Sequence, residues 1–421
     1  MRVLFATYSE KTLFLAMAPL AWALRTAGHE VRIASQPKLV DAITNSGLTA
    51  VPVGRDHIMW DLMKLGGETE VARGGPPPPF DIAEYPPDKI TWDHLLRGYE
   101  EVVPVNKLIN ERMIGDLVAF ARHWRPDLVI WEPDTYAAPI AAKASGAVHA
   151  RLLWSLDFFG IARRHFVRLK QEQRPEERAD PLADWLGAHA RRHGFEFTED
   201  MTVGRFTIDQ FPASLRMETD LQYVPMRYVP YNGTAVIPDW LREPPRRPRV
   251  CLTLGTTATD RFGGFAVSVG EILHALSDLD IELVATLPDG ERDKLGRIPD
   301  NARIVPFVPL HALLPTCSAV IHHAGFGTLC TAGLYEVPQL VLPDHFDEPP
   351  LARRLVEQGA ALGMPAREAT GDKVRDQLVQ LLEDPSFRHD AARLRDEMLA
   401  MPAPNDLVPE LEKLVAEHRE G

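Results

Sequence analysis

The sequence predicts an α/β protein built from two Rossmann-like, doubly wound domains that face each other across a cleft. The chain has 421 residues, which exceeds the usual size of one domain. Short apolar segments alternate with amphipathic helical segments in two separate series, as in βαβ units with parallel sheets. A proline-rich segment between Tyr223 and Pro248 separates the two series.

The first series opens with a strand predicted over residues 2–7, an apolar run typical of a buried parallel strand. A helix is predicted over residues 12–27, where apolar side chains recur every three or four positions, and Gly28 supplies its C-terminal stop. The next strand, over residues 30–34, completes one βαβ unit. The crossover of such a unit is right-handed.

Later parts of the first series contain two strands, predicted over residues 127–131 and 150–154, with a helix over 137–145 between them. The charged stretch 163–197 is predicted as surface helices. The simpler interpretation is that these helices form a solvated face, and the more specific one is that they form a docking surface for a partner. Residues 63–87 are rich in Gly and Pro and are predicted as a loop, either a lid or acceptor-binding element or an excursion without a role.

The second series predicts the remaining elements. Strands are expected over residues 249–254, 281–286, 303–308, 319–323 and 340–342, and helices over 265–279 and 407–418. The predicted organisation is an N-terminal domain (1–225), a linker (226–248), a C-terminal domain (249–404) and a C-terminal helix (405–421) packing back toward the N-terminal domain.

Composition excludes several classes of protein. The 46 basic and 59 acidic residues give a net charge of −13, which argues against nucleic acid as a partner. The three cysteines form no CxxC pair, so neither a zinc site nor a disulfide framework is predicted. No apolar run reaches the roughly 18 residues of a membrane span, and the first residues lack a signal-peptide cleavage site. We therefore expect a soluble cytoplasmic protein without a membrane partner.

The most informative segment covers residues 319–329, AVIHHAGFGTL. An apolar strand ends at His322 and His323, turns through glycines and opens a helix predicted to begin at Thr328. Unpaired N–H groups and the partial positive charge at a helix start suit a diphosphate. Thr328 can add a hydroxyl donor, and His323 a ring N–H or, when protonated, a charge. The alternative is a purely structural role for the histidines, because the segment is neither GxGxxG nor a P-loop.

A cluster of carboxylates, Asp344, Asp347 and Glu348, follows the predicted strand 340–342. Carboxylates at the carboxyl end of a strand in a cleft can accept hydrogen bonds from sugar hydroxyls. A capping cluster for a helix starting near Pro350 explains the same residues equally well.

Together these segments resemble the GT-B family 1 glycosyltransferases. The closer resemblance is to the actinomycete branch that attaches deoxysugars to macrolide antibiotics and includes desosaminyl- and mycaminosyltransferases. The resemblance covers nearly the whole chain and is carried by residues 19–23, 124–133, 226–233, 250–255, 307–315 and 322–328.

The resemblance implies that the N-terminal domain (1–225) binds the acceptor and that the C-terminal domain (249–404) binds the nucleotide sugar. His323, Gly325, Gly327 and Thr328 would hold the diphosphate, and Asp347 would bind sugar hydroxyls. The backbone at Val308 would meet the nucleobase, and Gly255 and Thr256 would line the cleft near the diphosphate. The full set of candidate donor-binding residues is Gly255, Thr256, Val308, His323, Ala324, Gly325, Gly327, Thr328, Asp347 and Glu348.

The resemblance also implies an inverting transfer from a thymidine diphosphate (TDP) deoxysugar, expected to be an amino sugar, to a hydroxyl of a macrolide polyketide aglycone. Neither a metal nor another cofactor is expected. Members of this branch often require a cofactor-less, cytochrome P450-like activator protein, for which residues 163–194 are the candidate docking region. A homodimer is a further expectation.

One departure from the family concerns the general base. The family commonly places a histidine after the first strand, and the matching position here is Leu13, which cannot accept the acceptor proton. Four carboxylates near the ends of N-terminal strands are candidate replacements, and an amine on the donor sugar is another: Glu10, Glu132, Asp134 and Asp157. A degenerate transferase that only binds donor or partner, and a nucleotide-sugar epimerase, remain as alternative hypotheses.

Overall fold

The computed structural model describes residues 1–66, 73–217, 219–255, 257–261 and 264–420. Its described part contains two parallel sheets. The strands of the N-terminal sheet are β1 (Arg2–Ala6), β2 (Glu30–Ser35), β3 (Ala50–Pro52), β4 (Leu128–Trp131), β5 (Val148–Leu152), β6 (Phe206–Asp209) and β7 (Tyr223–Pro225). They lie side by side in the order β3-β2-β1-β4-β5-β6-β7.

The C-terminal sheet repeats the same winding. Its strands are β8 (Arg249–Thr253), β9 (Glu282–Thr286), β10 (Ala302–Val305), β11 (Ala319–His322), β12 (Gln339–Val341) and β13 (Ala361–Gly363). Their order, β10-β9-β8-β11-β12-β13, and their parallel pairing define a second doubly wound sheet. The predicted fold class is therefore confirmed.

Helices connect the strands of both sheets. In the N-terminal part these are α1 (Lys11–Thr26), α2 (Val40–Asn45), α3 (Met59–Gly66), α4 (Trp92–Trp124), α5 (Ala137–Ser145), α6 (Phe158–Glu172), α7 (Pro181–His193) and α8 (Asp200–Val203). The helices that follow are α9 (Thr257–Arg261), α10 (Val269–Ala275), α11 (Asp289–Arg292), α12 (Leu310–Leu313), α13 (Phe326–Leu334), α14 (Glu348–Gln358), α15 (Gly371–Glu383), α16 (Pro385–Ala400) and α17 (Pro404–Glu420). Among the helices in these described ranges, none has the length and apolar character needed to cross a bilayer.

The two faces of the N-terminal sheet bury separate cores, because successive side chains of a strand point to opposite faces. Val3 and Phe5 pack with α1 and α17, whereas Leu4 and Ala6 pack on the side of α4. The core on the side of α4 continues into the C-terminal part of the chain, where it includes Phe326 at the start of α13. The two halves therefore share apolar packing as well as a cleft.

Helix α17 belongs structurally to the N-terminal half. Leu407, Leu411 and Leu414 form its buried stripe and share a cluster with residues of β1 and α1. The chain thus crosses from the C-terminal sheet back to the N-terminal one before it ends.

Several elements differ from their predictions. Residues 63–87 are not wholly a loop, because α3 extends to Gly66 and a 3-10 helix covers Phe80–Glu84, while residues 67–72 lie outside the described part. Helix α10 begins at Val269 rather than at residue 265. The Ser268 hydroxyl caps this start by accepting the N–H of Glu271 at 3.3 Å. The polar stretch 163–197 is less exposed than predicted, since α6 and α7 bury apolar faces and the Arg163 guanidinium is bound by Asp180.

Replacement of Leu411 by Ala tests the docking of α17. Leu411 is fully buried in the N-terminal core, so its truncation should leave a cavity and cost about 2–5 kcal/mol in the free energy of unfolding. Urea unfolding of this variant can be compared with Glu410→Ala, which removes a half-exposed side chain from the same helix. Equal stability of the two variants would contradict the docking.

Candidate active site

The helix start at the carboxyl edge of β11 is the centre of the site. Gly325, in an extended conformation, is the N-cap of α13, so the helix begins at Phe326 rather than at the predicted Thr328. Gly325 gives no side-chain cap, and Thr328 N–H donates to the Gly325 carbonyl at 3.1 Å. Among the described residues, the N–H groups of Phe326 and Gly327 have no hydrogen-bond acceptor. Such groups at a helix start suit an anionic ligand.

The backbone before the helix explains the small residues of the motif. Ala324 has a φ of +69°, a left-handed conformation that is unfavourable for residues with bulky side chains. A Cβ atom on Gly325 would lie 2.3 Å from Nε2 of His323, and a Cβ on Gly255 would lie 2.8 Å from Cε1 of the same ring. The His323 imidazole is therefore seated between two glycines, one from β8's loop and one from the helix start.

The two adjacent histidines have different roles. His322 is fully buried in β11, and its Nδ1 accepts the N–H of Ala324 at 3.1 Å. Its Nε2 must then carry the proton and donates it to Oε1 of Gln339 at 2.8 Å. Burial is the main cause that lowers the pKa of His322 to about 3, so this ring is a neutral structural brace for the turn.

His323 instead lines a small pocket. Burial lowers its pKa to about 4, so near pH 7 it offers a neutral ring N–H and not the positive charge that the sequence also allowed. The pocket is lined by Leu254, Phe265, His323, Asp344, His345 and Glu348, among others.

Two of the remaining predicted donor residues contact the linker region or the core. The Gly327 carbonyl accepts the hydroxyl of Tyr228 at 3.3 Å, and Tyr228 also packs edge-on against Phe326. The Val308 side chain is buried in the core beneath the C-terminal sheet, so its predicted role rests on its backbone alone. Thr256 lies outside the described residues.

The sequence allowed two interpretations of the carboxylate cluster, sugar binding and helix capping, and its members have different partners in the structure. Glu348 is the first residue of α14, and its Oε2 accepts the N–H groups of Asp344 at 2.8 Å and His345 at 2.9 Å, a local structural role. Asp347 instead accepts the Ser155 hydroxyl from the N-terminal half at 2.6 Å. Burial raises the pKa of Glu348 to about 8 and that of Asp347 to about 6.

Two of the four candidate bases are held by strong partners. Glu10 forms an ion pair with Arg261 and accepts the indole N–H of Trp60 at 2.9 Å. Asp157 accepts hydrogen bonds from the two terminal guanidinium nitrogens of the fully buried Arg151, at 2.9 and 2.6 Å, and from the Tyr223 hydroxyl. Asp157 therefore has a structural role, because its carboxylate is fully used inside the domain.

The other two candidates lie at the carboxyl end of β4, close to Tyr8. Glu132 is buried and accepts the Thr135 hydroxyl and the N–H of Asp134, the latter at 2.8 Å. Within the described part of the chain, no group donates a hydrogen bond to the side chain of Asp134. Burial raises the pKa of both carboxylates above the ordinary values, and the neighbouring charge of Asp134 raises the pKa of Glu132 further. Leu13, at the usual histidine position, is buried in the core.

Sequence reasoning missed the residues that join the two halves at this site. Ser155, Arg73 and Arg261 each contact a residue of the opposite half. Only Ser155 could have been found, because it follows a predicted strand of the N-terminal sheet and such strand ends face the cleft.

Two doubly wound domains meeting at a cleft, with an uncapped helix start on the C-terminal side, define a GT-B glycosyltransferase. Comparison with known structures agrees. The crystal structure of the glycosyltransferase VinC in complex with dTDP matches with a TM-score of 0.89 at 42% identity, covering 99% of this chain and 100% of that one. The spinosyn forosaminyltransferase SpnP matches with a TM-score of 0.83 at 40% identity, covering 99% of each chain.

The chain belongs to the erythromycin biosynthesis protein CIII-like family, whose N-terminal domain model matches residues 22–255 and whose C-terminal domain model matches residues 270–414. It is 52% identical to the 10-deoxymethynolide desosaminyltransferase of Streptomyces venezuelae, covering 100% of this chain and 98% of that protein. It is 48% identical to the aclacinomycin-T 2-deoxy-L-fucose transferase of Streptomyces galilaeus, covering 100% and 97%. The resemblance predicted from the motifs is confirmed, and the protein is a glycosyltransferase of the family that transfers deoxysugars to polyketides.

Gly325→Ala tests whether the helix start is a ligand site. The new Cβ would displace the His323 ring and narrow the approach to the helix, so the affinity for TDP should fall about tenfold or more. Calorimetric titration with TDP measures the effect. Gly270→Ala is the matched control, because a Cβ there meets nothing within 4 Å and α10 tolerates alanine. Unchanged affinity in the Gly325 variant would refute the assignment.

Proposed function

We propose that this enzyme transfers an amino deoxysugar from TDP to a hydroxyl of a macrolide aglycone, with inversion at the anomeric carbon. The desosaminyltransferase of Streptomyces venezuelae, similar over the whole chain, supports the amino sugar and the macrolide acceptor. The dTDP complex of VinC supports the nucleotide. The named relatives are all transferases and lend no support to a degenerate binding protein.

The observation that carries the proposal is the pair of N–H groups at Phe326 and Gly327, which have no acceptor among the residues that the structure describes. Negative charge builds on the diphosphate as its bond to the sugar breaks. Fixed N–H donors stabilise that charge without reorganising during the reaction. The neutral His323 ring is seated beside this helix start, and its one N–H is the proposed further donor. As the family resemblance implies, the proposed mechanism uses no metal, and activity should persist in a chelator.

Asp134 is the proposed general base. Glu10, Glu132 and Asp157 are each engaged by side-chain donors, whereas the Asp134 carboxylate has none among the described residues. The Asp134 side chain is half-buried and its pKa is raised, and such a carboxylate at the end of a cleft-facing strand is typical of a group with a role in chemistry. In the proposed step, Asp134 accepts the acceptor hydroxyl proton while that oxygen bonds to C1 and the C1–O bond to TDP breaks.

Asp134→Asn should lower kcat/KM by at least about a hundredfold, because an amide cannot accept the proton. The affinity for TDP should stay unchanged, since Asp134 lies in the other half. A general base must be deprotonated, so wild-type kcat/KM should fall about tenfold per pH unit below the raised pKa of the Glu132 and Asp134 pair. Glu10→Gln is the comparison variant. A hundredfold loss in that variant, with Asp134→Asn active, would transfer the role to Glu10.

The activator protein is proposed to dock on the exposed face of α6 and α7. Arg163 is not available there, since Asp180 and Glu199 hold it inside the helical layer. Arg164 and Arg168 on α6 remain half-exposed. Reversing both to Glu should abolish co-purification with a P450-like activator, whereas Arg242→Glu in the linker should not. Unchanged capture would remove the docking assignment.

The direct test of function is product formation. The enzyme, with a P450-like activator, should convert TDP-desosamine and a macrolactone to a glycoside whose anomeric configuration is inverted. Incubation of the donor alone should give neither an epimer nor stoichiometric free TDP, which separates a transferase from an epimerase. Absence of product with the activator present, together with an epimer from donor alone, would overturn the proposal.

A further inference from the structure

Residues just after β5, in the N-terminal half, contact the segment that bears Asp347. Ser155 is 3% exposed, and its hydroxyl donates to Oδ2 of Asp347 at 2.6 Å. The neighbouring Trp154 ring stacks on Phe346 with a centroid distance of 6.2 Å. Two consecutive residues of the N-terminal half therefore contact two consecutive residues of the C-terminal half.

A second point of contact comes from the Pro-rich segment before α4. The Arg73 guanidinium donates to Oδ2 of Asp344 at 2.7 Å, and the N–H of Gly74 donates to the Asp344 carbonyl at 2.8 Å. Arg73 also forms an antiparallel bridge with His345. The same segment is fixed to its own half, because Phe80 is buried against Phe159.

These contacts act on a backbone that is strained. Phe346 has a φ of +45°, a left-handed conformation that is unfavourable for a bulky side chain. Such a conformation persists only where surrounding contacts determine it. The contacts on either side of Phe346 come from Arg73 and Ser155 of the N-terminal half, and also from Glu348, whose carboxylate accepts the N–H groups of Asp344 and His345.

We propose that Ser155 and Arg73 are positioning residues for the donor sugar, although they belong to the half assigned to the acceptor. This inference rests on the proposed function, in which Asp347 binds the sugar. Ser155 fixes one oxygen of the Asp347 carboxylate and so sets its orientation toward the sugar, and Arg73 fixes the start of the same segment. The choice among deoxysugars is thus made by both halves of the cleft. Binding sites need this support to hold a side chain in its productive geometry.

The experiment compares Ser155→Ala and Arg73→Met with a matched control, Glu84→Gln. Glu84 lies in the same Pro-rich segment and pairs across the halves with Arg353 of α14, but it does not contact residues 344–347. For each variant, calorimetry gives the Kd for TDP, and steady-state kinetics give kcat/KM for TDP-desosamine and for TDP-2-deoxy-L-fucose. Thermal unfolding checks the fold.

Ser155→Ala and Arg73→Met should leave the Kd for TDP within about twofold and lower kcat/KM for TDP-desosamine about tenfold, the usual effect of losing a hydrogen bond to a charged group. The ratio of kcat/KM between the two donors should change as well. Adding Ser155→Ala to Asp347→Asn should cause no further loss, since the two residues act through one contact. Glu84→Gln should match the wild type.

The inference fails if both variants keep wild-type kcat/KM and donor ratio, or if Glu84→Gln shows the same loss. It also fails if the affinity for TDP and the unfolding temperature fall together with kcat/KM, which would indicate a structural role only. A wild-type enzyme that bound TDP-desosamine but formed no glycoside would refute the proposed function instead, so the two failures are distinguishable.

Discussion

The seating of the His323 ring between Gly255 and Gly325 is the constraint on which the site depends. It forces glycine at both positions, brings the loop after β8 against the turn after β11, and keeps side chains away from the first N–H groups of α13. The neutral His322 beneath it fixes the turn by bonding Ala324 and Gln339. An anion can then approach the backbone itself, where partial positive charge is available in a protein of net charge −13.

Much of the fold was predictable because parallel strands covered on both faces read as short apolar runs. The helix Ala137–Ser145 was predicted to the residue, since Gly146 ends it in a left-handed conformation. The long helix α4 escaped prediction: it contains Pro104, and its buried residues alternate with charged ones over 33 positions. The short strands β6 and β7 were missed as well: polar residues interrupt the apolar run of β6, and β7 opens the proline-rich segment between the two series.

The site was predictable in its C-terminal half and less so elsewhere. The glycine-rich turn and the carboxylates after β12 each lie within one short stretch of sequence, so their chemistry could be inferred from those stretches. The partners of each carboxylate are distant in sequence, as with Asp157 and Tyr223 or Asp347 and Ser155. The sequence therefore left four candidate bases open, and only three-dimensional contacts separated the engaged carboxylates from Asp134.

A crystal structure of the enzyme with TDP would show whether the start of α13 holds the diphosphate. We expect β-phosphate oxygens to lie about 2.7–3.1 Å from the backbone nitrogens of Phe326 and Gly327, with the His323 ring nitrogen as a further donor. A diphosphate bound elsewhere in the cleft, with those two nitrogens facing only solvent, would contradict it.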